Sequence, residues 1–214
     1  MLVAHDASAS PFIMKQQQKR LCASRDLLVL LQQIMRADAA RILYMRAYGG
    51  CYVDLDFESL KPLDGLVSEL PLALGSMGYE SSEHNVPNAL MCSTPGHPFF
   101  DVCLNTIEDK WTESQRPGRD NTTQIDWIEQ VTGPRMINTA LQRWALSHPP
   151  VPLLKPQHVY PYSWLMPLME PRKAQKFQAC HYLWGPFNAA TCKSYFPEAY
   201  AVTYWTHSWE QVPR

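Results

Sequence analysis

Residues 36–56 read Arg-Ala-Asp-Ala-Ala-Arg-Ile-Leu-Tyr-Met-Arg-Ala-Tyr-Gly-Gly-Cys-Tyr-Val-Asp-Leu-Asp, and no other stretch constrains the fold so tightly. Ala39, Ile42, Leu43, Ala47 and Tyr48 recur at helical spacing, which predicts a helix ended by Gly49-Gly50 and a strand beginning at Cys51. That strand would carry Asp54 and Asp56 at its end. Side chains two apart on a strand share a face, so the two carboxylates are expected to converge on one divalent cation. Carboxylate oxygen suits Mg²⁺ or Mn²⁺, and a cation left with open positions suits a diphosphate. Asp38 and Arg41, three apart, fall on one face of the helix. From there a carboxylate accepts and a guanidinium donates, a pairing that can hold sugar hydroxyls. Taken singly, an Asp-x-Asp is usually a solvated strand end, and an Asp/Arg pair at this spacing is usually a surface ion pair of little energy. It is the conjunction of helix, Gly-Gly, strand and paired carboxylates that points to a diphosphate site.

The 214 residues are in the size range of one domain with a substantial core. A net charge of −1 without a basic stripe argues against nucleic acid as a partner. Eighteen prolines and seven tryptophans imply rigid loops and aromatic faces, most of the latter in the core. No apolar stretch approaches the roughly twenty residues of a bilayer-spanning helix, and the start has no signal-peptide core. The six cysteines lack metal-ligand spacing and do not define a disulfide scaffold. Cys180 and Cys192 bracket a loop with Gly185-Pro186; they either pair in an oxidising lumen or stay as free buried thiols. Asn121-Thr-Thr123 fits the glycosylation acceptor pattern.

Beyond the key segment, Phe57 to Leu66 reads as extended, with a turn at Asp64-Gly65. Leu70 to Gly75 and Asn88 to Ser93 read as short strands, and Phe99 to Trp111 as a helix. A polar loop is expected over Glu113 to Asn121. Amphipathic helices follow over Ile125 to Val131 and Arg135 to Leu146, the second started by Gly133-Pro134. Val151 to Tyr162 is expected to be a strand with prolines at its edges, and Tyr200 to Trp205 a β-rich segment. Alternating strands and helices imply an α/β architecture with a central mixed sheet. In such sheets ligands bind beyond the carboxyl ends of strands, where Asp54 and Asp56 fall.

Arg36 to Arg41, Tyr48 to Glu58 and Leu60-Lys-Pro-Leu-Asp64 together resemble the DXD sugar-binding region of glycosyltransferase family 32. That family includes fungal initiation-specific mannosyltransferases and mannosyltransferases acting on inositol phosphoceramide. Further blocks fit in the same order: Pro87 to Phe100, Thr132-Gly-Pro134, Tyr160-Pro-Tyr-Ser-Trp164 and Tyr204-Trp-Thr-His-Ser-Trp209. The resemblance thus runs from about residue 33 to residue 209.

The resemblance implies a GT-A-type nucleotide-diphospho-sugar transferase fold occupying residues 1–214 as one domain. The family's Ile-His-Gln-like opening is not found, so residues 1–32 are read as a divergent or incomplete N-terminus and the first strand as missing. By analogy Asp56 binds the metal directly, and Asp54 binds it through water or holds the donor's ribose and sugar. Asp38 and Arg41 orient the donor sugar, with Tyr52 and Asn88 as further substrate contacts. His207 would complete the metal shell, and Ser208 and Trp209 would reach phosphate oxygen. The implied activity is retaining, Mn²⁺- or Mg²⁺-dependent transfer of a hexose, mannose before others. The donor would be GDP-mannose or a UDP-sugar, the acceptor a glycan or glycolipid, and the location the Golgi or another secretory-pathway lumen. The alternatives are a UDP-sugar transferase of the same fold and a non-catalytic carbohydrate-binding scaffold.

Overall fold

Helix α1 (Gln33–Tyr48) buries Met35, Ala39, Ile42 and Met45, a stripe at three- and four-residue spacing. Tyr48, expected on that stripe, is exposed. Gly49 ends the helix at φ 60°, its N–H donating to the Met45 carbonyl at 2.9 Å. Strand β1 (Gly50–Val53) follows at once. The chain then turns into β2 (Phe57–Ser59), a one-turn helix α2 (Asp64–Val67), β3 (Leu72–Gly75) and β4 (Leu90–Ser93). The computed structural model describes residues 33–115, 123–182 and 186–206.

The main sheet has the order β1-β4-β3-β5, with β5 the short Leu153–Leu154 pairing. Both β1 and β3 run antiparallel to β4, while β3 and β5 are parallel, so the sheet is mixed, as the pattern of elements predicted. Every residue of β3 and β4 is buried, which requires cover on both faces. Strand alternation sorts them. Leu72, Leu74 and Met91 face a cluster built with α1, α3 (Phe99–Ser114), α4 (Gln124–Val131) and α5 (Pro134–Ala145). Ala73, Leu90 and Cys92 face a second cluster with Leu154, Val159, Tyr160 and Leu165. Helix α4 starts under a Thr123 cap that accepts from the Asp126 N–H, and α5 starts at Pro134, whose missing N–H costs nothing there.

The expected strand over Val151 to Tyr162 shrinks to β5, because Pro156 sits inside it. A proline has no N–H for the ladder and its φ suits a first helical position, so helix α6 (Pro156–Val159) starts there and Tyr160 N–H closes onto the Pro156 carbonyl at 2.8 Å. The extended run from Phe57 is likewise cut at Ser59, and Asp64-Gly65 begins α2 rather than a turn. The remaining elements are α7 (Met166–Met169), α8 (Pro171–Lys176), a 3₁₀ turn (Gln178–Cys180), α9 (Ala189–Ser194) and β6 (Ala201–Thr203), which pairs antiparallel with β2. Cys180 and Cys192 form a disulfide, which closes the alternative left open by the sequence. A second disulfide joins Cys51 to Cys92, directly opposite each other on β1 and β4. Expectations for residues 1–32, Asn121 and most of the loop before it lie outside the described residues.

A Cβ on Gly49 would lie 2.5 Å from the Pro95 nitrogen and 2.6 Å from the Ser93 carbonyl oxygen, all rigid backbone. With the left-handed φ added, Gly49→Ala should lower unfolding free energy by roughly 2 kcal/mol or more, read as a lower urea midpoint.

Candidate functional site

The strand that was expected to carry both carboxylates stops at Val53. Asp54 to Phe57 is a turn, closed by the Phe57 N–H on the Asp54 carbonyl at 3.2 Å, because the chain must leave β1 for β2 in the other sheet. Strand alternation therefore does not bring Asp54 and Asp56 together; the turn does. Leu55 stands at its apex, 104% exposed.

Asp54 is fixed from below. Its Oδ1 accepts from Arg41 Nη1 at 3.0 Å and from the Tyr52 hydroxyl at 2.6 Å. The guanidinium also lies 4.7 Å from the Tyr52 ring centroid, a cation–π contact. Arg41 Nη1 donates further to the Asn88 carbonyl at 3.0 Å, and Nη2 pairs with Asp38 Oδ1 at 3.1 Å. Asp38 is occupied on both oxygens, for Asn88 Nδ2 donates to Oδ1 at 3.0 Å and the Thr132 hydroxyl to Oδ2 at 2.9 Å. Asp38 and Arg41 are only 6% and 8% exposed, so this pair is a buried anchor, not a surface ion pair. Breaking such a pair from one side leaves a buried charge uncompensated, at a cost of about 3–5 kcal/mol.

Asp56 is held from the C-terminal side. Its carbonyl accepts from Tyr204 N–H at 3.3 Å and its Oδ2 from Thr206 N–H at 3.1 Å, both made by pairing β2 with β6. His207, Ser208 and Trp209 lie outside the described residues. Four of the expected site residues, Asp38, Arg41, Tyr52 and Asn88, thus form one network around Asp54, with Asp56 beside it. Thr132 and Thr206 are additional members; Thr132 stood in a recognisable block without an assigned role.

Burial pushes the Asp38 carboxyl up to about 6, against the opposing pull of Arg41, Thr132 and Asn88. Burial also raises the Asp54 carboxyl; Arg41 and Tyr52 oppose this, and Asp56 adds to it as a like charge. For Arg41, burial works against the charge, but Asp38 and Asp54 together keep it above its ordinary value. Asp54 Oδ2 and Asp56 Oδ1 take no hydrogen bond from any described residue, and both side chains are half-buried. Two adjacent carboxylates with free oxygens, one of them disfavoured as an anion, fit a hard divalent cation. No third His, Cys, Asp or Glu joins them among the described residues.

Residues 3–72 match the family described as "Glycosyltransferase sugar-binding region containing DXD motif". Asp54-Leu-Asp56 falls inside the matched segment. Over that third of its length the chain is similar to the sugar-binding region of glycosyltransferases. It is 39% identical over 75 residues to the mannosyl phosphorylinositol ceramide synthase SUR1 of Saccharomyces cerevisiae, covering 35% of this chain and 18% of that protein. It is 39% identical over 77 residues to inositol phosphoceramide mannosyltransferase 1 of Schizosaccharomyces pombe, covering 35% of this chain and 22% of that protein. The chain spans about a fifth of the length of these curated relatives. Among solved structures, the PaToxG glycosyltransferase aligns with a TM-score of 0.37 and 14% identity over 61% of this chain and 39% of that one, a likeness too slight to argue from. The matched segment begins thirty residues before the similarity legible from the sequence blocks, and the blocks after residue 72 lie beyond it.

Asp38 holds its proton more tightly folded than unfolded, so the folded chain binds more protons between pH 3.8 and about 6. Its contribution to stability is full below that window and is lost as pH rises through it. Thr132→Val removes a hydrogen bond that favours the ionised form, so the Asp38 titration should move above 6. Relative to the parent, the variant should lose about 1 kcal/mol more at about pH 8 than at about pH 4, measured by urea unfolding across pH.

Proposed function

We propose that this chain is a glycosyltransferase that moves a hexose, mannose before others, from a nucleotide-diphosphate sugar to a glycolipid. The observation that carries this is the Asp54-Leu55-Asp56 turn, clamped by Arg41 and Tyr52 on one side and by Thr206 on the other, with one oxygen on each carboxylate left without a hydrogen bond among the described residues. Asp54 and Asp56 would hold Mn²⁺ or Mg²⁺, whose charge stabilises the departing diphosphate. His207 directly follows Thr206 in the chain and is the natural third ligand. Arg41 acts by fixing the Asp54 carboxylate, and Asp38, Asn88 and Thr132 act by fixing Arg41.

The mannose preference and the inositol phosphoceramide-like acceptor come from the names of the two fungal relatives. Transfer with retention fits a front-face path, in which the departing phosphate oxygen takes the proton of the attacking hydroxyl as the new glycosidic bond forms. Two disulfides among the described residues support work in an oxidising compartment such as the secretory lumen. No helix of the described residues is long and apolar enough to cross a membrane.

Calorimetric titration with GDP-mannose and UDP-glucose, each with and without Mn²⁺, tests the proposal. One donor should bind only with the metal present, and Asp56→Ala should abolish that binding without unfolding the chain. Arg41→Lys keeps the charge but loses the fork that joins Asp38 to Asp54, and should weaken donor binding by roughly 10–100-fold. A folded parent chain that binds no donor would favour the scaffold alternative.

A further inference from the structure

Helices α7 and α8 together run Met166-Pro-Leu-Met-Glu-Pro-Arg-Lys-Ala-Gln-Lys176. Met166 turns inward onto Tyr162 and Val202, but Leu168 is 66% exposed and Met169 50%. Pro171, Arg172, Lys173 and Lys176 are exposed as well. Against three cations the stretch has one carboxylate, Glu170, and it is already engaged by the Tyr79 hydroxyl at 3.0 Å and Lys173 Nζ at 3.2 Å. Single exposed apolar residues need no explanation. Two of them beside an excess of Arg and Lys are what an interfacial segment presents: the apolar chains enter the acyl boundary and the cations meet anionic headgroups.

Behind this stretch lies a cavity of about 470 Å³, lined by Met77, Tyr79, Tyr160, Met166, Lys173 and Phe177 among others. Met166, Glu170 and Lys173 belong to both the stretch and the cavity wall. Tyr160 links the cavity to the DXD turn. Its ring stacks on Trp205 with centroids 5.5 Å apart and meets Phe57 edge-on at 5.5 Å. Phe57 follows Asp56, and Trp205 precedes the Thr206 that donates to Asp56. The Tyr160 hydroxyl is buried without a hydrogen-bond partner that meets full geometry among the described residues, and it feels the charges of Asp54 and Asp56.

We propose that α7 and α8 dock this chain onto an anionic membrane surface, which sets the cavity at the bilayer boundary as the entry for a lipid-borne acceptor. The acceptor role rests on the glycosyltransferase reading; the docking does not. Charge complementarity commits the surface to an anionic bilayer rather than to a second copy of the chain.

The test is co-sedimentation with vesicles of phosphatidylcholine alone or mixed with phosphatidylserine, beside the donor titration above. The chain should pellet with the anionic vesicles and release as salt is raised. At about 1 kcal/mol per surface cation, Arg172→Gln with Lys176→Gln should weaken partitioning roughly 30-fold, and Leu168→Asp should weaken it too. Donor affinity and the urea midpoint should be unchanged in both variants. No vesicle binding, binding indifferent to both variants, or a solution dimer that Leu168→Asp dissociates would overturn the docking. Donor binding without vesicle binding would leave the transferase reading standing, and vesicle binding without donor binding would sink that reading alone.

Discussion

The Arg41 guanidinium is the joint on which the rest of the site depends. It spends its donors on three separate parts of the chain: Asp38 on its own helix, the Asn88 carbonyl before β4, and Asp54 after β1. A buried cation is tolerable only with such partners around it, and here two carboxylates supply the compensation. The reverse dependence also holds. The Asp54 backbone is held by its N–H on the Ala89 carbonyl at 2.9 Å, but its carboxylate takes its direction from Arg41 and Tyr52. The charge needed to fold the core and the charge needed to present a carboxylate to solvent are one interaction.

The two halves of the DXD motif are secured by different parts of the molecule. Asp54 belongs to the main sheet through Arg41 and the β1–β4 pairing, whereas Asp56 belongs to the β2–β6 ribbon through Tyr204 and Thr206. The turn between them is where the two sheets meet. Tyr160, stacked on Trp205 and edge-on to Phe57, fills the space under that meeting point, and Gly75 leaves room for its ring.

Much of this was legible in the sequence. The helix, the Gly-Gly break and the start of β1 follow from local rules, since a left-handed residue after an amphipathic run has few alternatives. The buried strands β3 and β4 were readable as apolar runs, and α5 by its Gly-Pro start. The Cys51–Cys92 bond was not, because register between strands forty residues apart depends on tertiary pairing. Neither was the internal role of Asp38. Spacing placed it beside Arg41, but only the approach of Asn88 and Thr132 from distant segments occupies its oxygens. The strand near Val151 is shorter than its apolar run for a reason the sequence also holds: Pro156 stands inside the run, not at its edge, and denies the ladder a donor.

Leu55 separates the two acids and touches almost nothing, being as exposed as a residue in an extended peptide. Packing therefore exerts no selection on its side chain, and the backbone turn asks nothing of it that most residues could not give. The middle position of the motif is free to drift under mutation while its flanks are pinned. Whatever constrains its identity must come from molecules that approach from solvent.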